Sequence, residues 1–385
     1  MKFFYPILIA VTLGVSAVLP AQNMNIGGSY RGEFEALQQD CTYRHQHWIS
    51  LELEKEFDSS TNMHLDLEFN TYDQDHAVPV IQEAYINHYT RYFDWRFGKQ
   101  MVSWGSAYKI NPTSYFNPYD LTTLTPLEKR LGVIGAQTTY YGPARSEWSL
   151  VFTPFYKQHL IPNDAREALI RSYMKSTIKD LNASLPSLIH IVPDTGNPVI
   201  MREPERLVEN SQGGFQITKR GLLGLDVSVS GYHGRDRLPV VNEDKTVSSL
   251  RLAPMGPLPV DSAATVYLEY PQVSRLGLDL IGSFQGVGIW FEGIQNFYRS
   301  KNLNNNNQLV FGADYKFSNN LYLVGQALYF QGRSEREQDI KAVMLHASKP
   351  LFSFHEFEIA GLYELESKSY FIQPQVDYSL SNAVQ

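Results

Sequence analysis

Charged residues recur at every second position in several segments of the first hundred residues. In residues 49–57 and 62–70 they alternate with Ile, Leu, Met and Phe, and in residues 93–97 with Phe and Trp. Adjacent side chains of a β-strand point to opposite faces, so each segment would carry one charged and one apolar face. A charged face that borders water attracts ions of the opposite sign. The residues of this set are Glu52, Glu54, Asp66, Glu68, Glu83, Asp94 and Arg96.

Patterns that could support catalysis or metal binding are weaker. His45 and His47 would share a strand face, but no third ligand lies close in sequence, and two solvated histidines are the simpler interpretation. The sequence contains neither a glycine-rich phosphate loop nor the His-Glu-x-x-His pattern of zinc proteases. An embedded hydrolase would need a serine beside a histidine, and nothing marks one such pair among the 10 histidines. We predict no enzymatic activity, no metal and no cofactor.

The N-terminus has the pattern of a secretory signal peptide. Lys2 precedes an apolar run over residues 3–18, and Pro20 and Ala21 follow. We predict a signal peptide over residues 1–21, with cleavage after Ala17 as the alternative. Cys41 is the only cysteine, so an internal disulfide framework is excluded. The formal net charge of -7 argues against a nucleic-acid partner.

The rest of the chain, residues 22–385, is predicted to form one all-β domain. A soluble β-sandwich buries its apolar faces against each other, whereas a transmembrane barrel turns them to lipid and its polar faces to a wet lumen. Three features favour the barrel: aromatic residues near the strand ends, the predicted export, and connections that alternate between short and long. We predict an antiparallel up-and-down transmembrane β-barrel in the outer membrane.

Alternating segments predict about 16 strands, an even number as single-chain bacterial barrels have. The predicted strands cover residues 24–35, 46–57, 62–70, 80–89, 92–102, 133–141, 146–156, 210–219, 222–233, 265–283, 287–298, 308–317, 320–331, 340–349, 353–363 and 369–380. The segment 377–385 resembles the strand-turn-strand passage 314–323. This similarity predicts that a final hairpin is missing and that the complete barrel has about 18 strands.

One long connection, residues 157–209, contains a helical pattern. Asp164 and Glu167 form a capping box after Pro162, and apolar residues then recur at helical spacing to Leu181. We predict an extracellular loop helix over residues 164–184, which would serve either as a lid over other loops or as a plug that enters the lumen.

The stretch FGKQMVSWGSAYKINPTSYFNPYD at residues 97–120 begins as a strand and then breaks. Proline lacks the amide N–H that a central strand needs, and Asn before Pro favours a turn. We predict a stiff loop over residues 104–132 that folds inward and narrows a pore; a loop packed on the rim is the alternative. The constriction candidates are Trp104, Gly105, Asn111, Pro112, Asn117, Pro118 and Asp120.

This stretch also resembles a poorly characterised group of porin-like outer-membrane proteins of Gram-negative bacteria. Their pattern is Gly-Lys/Arg-Gln, then Trp-Gly, then Asn-Pro-Thr-Asp and a second Asn-Pro shortly before Asp. Ser114 stands where an acidic residue is common. The matching residues are Gly98, Lys99, Gln100, Trp104, Gly105, Asn111, Pro112, Thr113, Asn117, Pro118 and Asp120. The resemblance implies an outer-membrane channel without a defined substrate.

The sequence therefore predicts a channel through which small hydrophilic solutes diffuse, with a mild cation preference if the charged set lines the pore. These charges could instead only solvate the wall and pair with Arg and Lys elsewhere. The alternatives are a polysaccharide or oligosaccharide transport barrel and a plugged structural or adhesive barrel. The expected partners are outer-membrane lipid and lipopolysaccharide, the solutes and the barrel assembly machinery. Both a trimer and a monomer are compatible with the sequence.

Overall fold

The computed structural model describes the chain outside its first residues and several connections. The described residues are 24–37, 42–72, 78–123, 129–161, 179, 183, 189–193, 199–202, 204, 208–242, 260–264, 266–334, 337–351 and 355–378. In this part of the chain, no helix combines the length and the apolar character needed to cross a membrane. The chain divides into two compact units, Met1–Gln100 and Met101–Gln385.

The first unit is an antiparallel meander of five strands. Each strand pairs with the next along the chain, and a bulge beside Asp66 and Leu67 shifts the register of the third and fourth strands. Because apolar and polar residues alternate along each strand, each strand has one apolar and one polar face. The strands are β1 (Met24–Leu37), β2 (Thr42–Asp58), β3 (Thr61–Tyr72), β4 (Val78–Tyr89) and β5 (Phe93–Gln100).

The second unit contains a meander of eleven strands, again with antiparallel neighbours. Two short 3-10 helices, Pro143–Arg145 and Val208–Asn210, lie in connections. Five shorter strands form two small sheets. In chain order the strands are β6 (Val133–Gly142), β7 (Ser146–Thr153), β8 (Ile189–Pro193), β9 (Val199–Arg202), β10 (Gln212–Leu222), β11 (Leu225–Arg235), β12 (Val240–Val241), β13 (Val260–Ala264), β14 (Val266–Glu269), β15 (Gln272–Phe284), β16 (Val287–Tyr298), β17 (Asn306–Lys316), β18 (Tyr322–Phe330), β19 (Ile340–Leu351), β20 (His355–Glu364) and β21 (Tyr370–Tyr378).

The two faces of the eleven-stranded sheet differ sharply. One face carries large apolar side chains that are exposed, such as Leu276 at 55%, Phe311 at 57% and Leu345 at 62%. The opposite face carries polar residues that are buried, among them Asp279, Glu292 and Gln326. A soluble sandwich would bury the apolar face instead, so the expectation of exposed apolar faces is confirmed in this unit.

The predicted fold class and strand number are confirmed, since the sixteen long strands are all antiparallel and follow the chain order. The predicted strand 265–283 is wrong in its first residues. Residues 266–269 pair with residues 199–202 and 240–241 in a small sheet, and the long strand begins only at Gln272. Pro271, which has no amide hydrogen, separates the two strands.

Three sequence predictions fall mainly on residues outside the described part. These are the signal peptide over residues 1–21, the loop helix over residues 164–184 and the further hairpin after residue 378. Of the predicted helix, only Lys179 and Ala183 are described, and both are helical.

Candidate functional site

The connection between β5 and β6, residues 101–132, is here called the Asn-Pro loop. It is described over residues 101–123 and 129–132 and contains only isolated bridges instead of regular strands. Almost all of its described side chains are buried or half-buried despite this irregular backbone. The fully or almost fully buried ones include Val102, Trp104, Thr113, Tyr115, Phe116, Asn117, Asp120 and Leu131.

Aromatic rings pack the Asn-Pro loop onto strand β11. Trp104 meets Tyr115 and Phe116 edge-on, with ring centroids 5.9 and 5.2 Å apart. Phe116 in turn meets Tyr232 of β11 edge-on at 5.4 Å. Such edge-to-face pairs add stability beyond the apolar area that they bury. The loop therefore has its own hydrophobic core, which includes residues of the sheet.

Asn117, of the second Asn-Pro step, ties together the two ends of the loop. Its Oδ1 accepts a hydrogen bond of 2.7 Å from the amide of Val102, and its Nδ2 donates one of 2.8 Å to the carbonyl of Leu131. The amide of Leu131 also donates to the carbonyl of Pro118 at 2.8 Å. Buried backbone groups need such partners, so the asparagine satisfies groups that a strand ladder would otherwise satisfy.

Glu292, in the middle of β16, anchors the loop to the sheet. Its Oε1 accepts hydrogen bonds from the amides of Ser106 and Ala107 at 2.6 and 2.5 Å. Its Oε2 accepts from the amide and the hydroxyl of Thr113 at 3.1 and 2.8 Å. The carboxylate is fully buried, and hydrogen bonds to an ionised acceptor are stronger than those between neutral groups.

Gly105 makes this anchoring geometrically possible. Its φ is +83°, a region that favours glycine, and an added Cβ would lie 2.1 Å from Thr113 Oγ1 and 2.5 Å from Glu292 Oε1. The glycine of the Trp-Gly pair therefore allows the backbone to approach the carboxylate closely.

Two further side chains of the same sheet face bind the loop. Gln326 on β18 accepts from the amide of Tyr108 at 3.0 Å and donates to its carbonyl at 3.1 Å, as a neighbouring strand would. Asp279 on β15 accepts a hydrogen bond from the hydroxyl of Ser106. Asp279 lies directly opposite Glu292 in the register, so the first anchoring residues of the loop contact one row of the sheet.

Arg237, just after β11, holds the aromatic part of the loop. Its guanidinium donates to the carbonyls of Tyr115 and Phe116 and also to that of Lys157. Arg237 is 4% exposed, so its charge is satisfied by carbonyl dipoles inside the protein. The loop is thus fixed at both ends and along its length.

Asp236, the neighbour of Arg237, is the centre of a buried ion-pair network. Its carboxylate lies 3.1 Å from Arg275 Nη2 and 3.3 Å from Arg333 Nη1, and it accepts from the Tyr298 hydroxyl at 2.8 Å. Burial by itself raises the pKa of Asp236, but the two arginines and the hydrogen bonds outweigh it and lower the pKa to about 2. This carboxylate therefore stays ionised at neutral pH.

His159, which follows β7, contacts the later part of the Asn-Pro loop, at Tyr119. His159 Nδ1 accepts the amide hydrogen of Tyr119 at 2.8 Å, and Arg130 donates to the Tyr119 hydroxyl at 2.8 Å. Burial, followed by the positive charge of Arg237, lowers the pKa of His159 to about 3. A neutral imidazole is what this acceptor role requires.

The predicted charged set gathers in the first unit. Glu52, Asp66 and Glu83 occupy directly opposed positions on β2, β3 and β4, so three carboxylates form one row. We call Glu52, Asp66 and Glu83 the acidic row. Among the described residues, Asp66 Oδ1 is a buried oxygen without a hydrogen-bond partner.

The other members of the set have neighbours of their own. Glu54 lies 3.5 Å from His64, and Glu68 accepts a hydrogen bond of 3.2 Å from Asn70. Arg96 donates to Asn87 at 2.7 Å and stacks over the ring of Tyr85. On the opposite face of β5, Phe93, Trp95 and Phe97 stack in sequence with centroids 5.9 and 6.2 Å apart, as the alternation predicts.

Only one of the two histidines of the predicted pair has a described side chain. His47 is within 2.8 Å of the Tyr30 hydroxyl, whereas the side chain of His45 lies outside the described residues. The described residues contain no group of three His, Cys, Asp or Glu that could hold a metal ion.

Sequence reasoning missed the residues that receive the loop, namely Asp279, Glu292, Gln326 and Arg237, and also Asp236 beside Arg237. One signal for Glu292 was present, because it is the single charged residue in the alternating segment 287–298. A lone charge among apolar neighbours on a strand predicts a specific partner. The partner itself is 179 positions away in sequence, and no local pattern encodes that distance.

No protein-family model and no curated protein sequence matches this chain. Among solved structures, the chain is similar to OmpTdeltaL8, a loop-deletion mutant of an outer membrane protein of Vibrio cholerae. The identity is 11% over 93% of this chain and 99% of that chain, with a TM-score of 0.50.

Two porin structures are more distant. They are Salmonella typhi OmpF in complex with daunomycin (10% identity, 89% and 90% coverage, TM-score 0.46) and a mutant of Rh. blastica porin (9%, 92% and 99%, 0.47). The similarity to OmpTdeltaL8, together with the sixteen antiparallel strands in chain order, identifies the fold of this chain as that of an outer-membrane β-barrel.

Proposed function

We propose that the protein is an outer-membrane channel for the diffusion of small hydrophilic solutes and that it catalyses no reaction. The observation that carries this proposal is the Asn-Pro loop, which lies on the polar face of the second unit and is fixed there by Glu292. A stiff element on the face that borders water in a barrel narrows the path of a solute.

The apolar face of the strands is the surface that would contact lipid. Its many exposed leucines and phenylalanines would be unfavourable in water, and a soluble protein rarely exposes large contiguous apolar surfaces. We therefore propose an outer-membrane location, in which lipid and lipopolysaccharide would lie against this face and the barrel assembly machinery would be the partner for insertion.

Specific residues would shape the passage. Trp104 and Gly105 begin the constriction, Asn111 and Pro112 lie next to the Glu292 anchor, and Asn117 closes the loop. Pro118 and Asp120 lie on the return of the loop and are buried. In the first unit, the acidic row, together with Glu54, Glu68 and Asp94, would give the wall a mild preference for cations, and the positive charge of Arg96 would reduce it.

Two measurements test this proposal. Purified protein reconstituted in planar bilayers should give stepwise single-channel currents in KCl. Liposomes that contain the protein should swell in small sugars and stop swelling above a size limit. A complete lack of current and of swelling in every lipid tested would contradict the proposal.

A plugged structural barrel is the second candidate, and one observation favours it. The Asn-Pro loop has a hydrophobic core of its own and is held by side chains of β11, β15, β16 and β18. So many contacts suit a fixed plug better than a gate that must move. Reconstituted protein that is fully folded yet carries no current would support this candidate.

A further inference from the structure

A polar cavity of about 350 Å³ lies beside the start of the Asn-Pro loop. Residues 103–106 of the loop form one side of it, and strands β6, β7, β10, β11 and β15 form the others. The lining reaches the ends of β6, β7, β10 and β11 where short turns connect these strands. Its volume is at the lower end of the range of about 300–1,000 Å³ that small-molecule pockets occupy.

The walls of this cavity carry hydroxyl and amide groups in register. Thr139, Ser149 and Gln216 are directly opposed on three neighbouring strands. In an adjacent row Thr218 faces Ser228, and their hydroxyl oxygens are 2.9 Å apart. Each of these groups both donates and accepts hydrogen bonds.

The charges of the lining are unfavourable for anions. Arg220 is the one cation among the described lining residues, and it is held by Glu147 in two hydrogen bonds of 2.8 and 3.0 Å and by Asp226 at 3.4 Å. Asp279 adds a third carboxylate. An anionic solute would meet three carboxylates and an arginine that is already paired.

An aromatic side chain completes the lining. Tyr141, at the end of β6, is 44% exposed and borders the cavity together with the paired Glu147. A tyrosine ring offers an apolar surface beside a polar hydroxyl. Sugars have the matching chemistry, since they combine C–H surfaces with hydroxyl groups that donate and accept.

We propose that this cavity is a subsite that binds a neutral sugar of one or two rings during its passage. The inference rests on the proposed channel and adds a substrate class to it. The hydroxyl and amide rows would replace the hydration of the sugar, the Tyr141 ring would cover its C–H surface, and the carboxylates would disfavour phosphorylated sugars.

The experiment uses the full-length protein in planar bilayers, with glucose and glucose 6-phosphate as matched probes. Glucose should reduce the single-channel current, corrected for the bulk conductivity of the solution, with a half-maximal concentration well below that of glucose 6-phosphate. The variant Gln216→Leu keeps the size of the side chain but loses its donor and acceptor. It should raise the half-maximal glucose concentration about fivefold, the value of roughly one hydrogen bond.

Gln308→Leu is the matched control, because Gln308 lies on β17 and does not line the cavity. It should change the half-maximal concentration less than twofold. A channel that conducts but responds equally to both probes, or equally in both variants, would overturn the subsite and leave the channel in place.

Calorimetric titration of the detergent-solubilised protein with glucose separates the two proposals further. Binding without any current would retain the subsite and contradict the channel, whereas no heat of binding would contradict the subsite alone.

Discussion

Carboxylates have opposite surroundings in the two units of this protein. In the second unit Glu292 accepts four hydrogen bonds from the Asn-Pro loop, and Asp236 lies between two arginines and a tyrosine hydroxyl. In the first unit the carboxylates of the acidic row face one another across β2, β3 and β4.

This difference distinguishes carboxylates that stabilise the fold from carboxylates that can act on a passing solute. A buried carboxylate surrounded by donors is costly to remove because its donors would lose their partner. Neighbouring carboxylates repel one another and are relieved by a cation, so they influence ions that pass. We therefore expect substitutions in the second unit to change stability and substitutions in the acidic row to change selectivity.

The largest effect is expected for Glu292→Ala. Removal of this carboxylate leaves the amides of Ser106, Ala107 and Thr113 without their acceptor, so the loop should lose about 4 kcal/mol of stabilisation. Limited proteolysis should then cleave within residues 101–132, and the single-channel current should become larger and noisier. Glu356→Ala, a half-buried glutamate on the same face of β20, is the control and should cost less than about 0.5 kcal/mol. Equal protease resistance of the two variants would contradict the anchoring role of Glu292.

Gly105→Ala should have the next largest effect. The added methyl group would meet Thr113 and Glu292 at less than 3 Å, and we expect a loss of about 2 kcal/mol beyond the cost of the positive φ itself. Gly224→Ala is a close control, because Gly224 has a φ of +85° and nothing within 4 Å of an added Cβ. The difference between the two unfolding free energies, measured with guanidinium in detergent, isolates the contact with the anchor. A difference near zero would mean that the loop does not need this close approach.

Acid should weaken the second unit through Asp236. The pKa of Asp236 is lowered to about 2 in the folded state, whereas an aspartate in an unfolded chain has a pKa of about 3.9. The resulting stabilisation, about 2 kcal/mol, is fully present above pH ~4 and is lost as the pH falls through ~2. Unfolding of the wild type at pH 5 and pH 2 should therefore differ more than that of Asp236→Asn. Parallel pH profiles of the two proteins would exclude this ion-pair network as the cause.

The sequence predicts the long strands of both units. It singles out the charged residues of the first unit but not the residues that hold the Asn-Pro loop in the second. Alternation places Glu52 and Asp66 on one face because strand geometry is local, and the register follows from neighbouring strands joined by short turns. The Asn-Pro steps likewise predict an irregular loop after β5. What no local pattern encodes is which side chains of the sheet hold the loop. These are Glu292, Gln326 and Arg237, which lie more than a hundred positions away from their partners in the loop.

The smallest effect is expected for the acidic row, and it should appear in selectivity instead of stability. In the triple variant Glu52→Gln, Asp66→Asn, Glu83→Gln, the ratio of K⁺ to Cl⁻ permeability should fall about two- to fourfold. A unit charge about 10 Å from a passing ion contributes only ~0.4 kcal/mol in water. The reversal potential across a tenfold KCl gradient measures this ratio, and the change should shrink towards 1 M salt, where the Debye length is about 3 Å.

The control is Asp58→Asn, at the β2–β3 turn, where Asp58 accepts a hydrogen bond from the Ser60 amide. It should leave the permeability ratio unchanged. A wild-type channel that prefers Cl⁻, or a triple variant with an unaltered ratio, would mean that the acidic row only hydrates the wall.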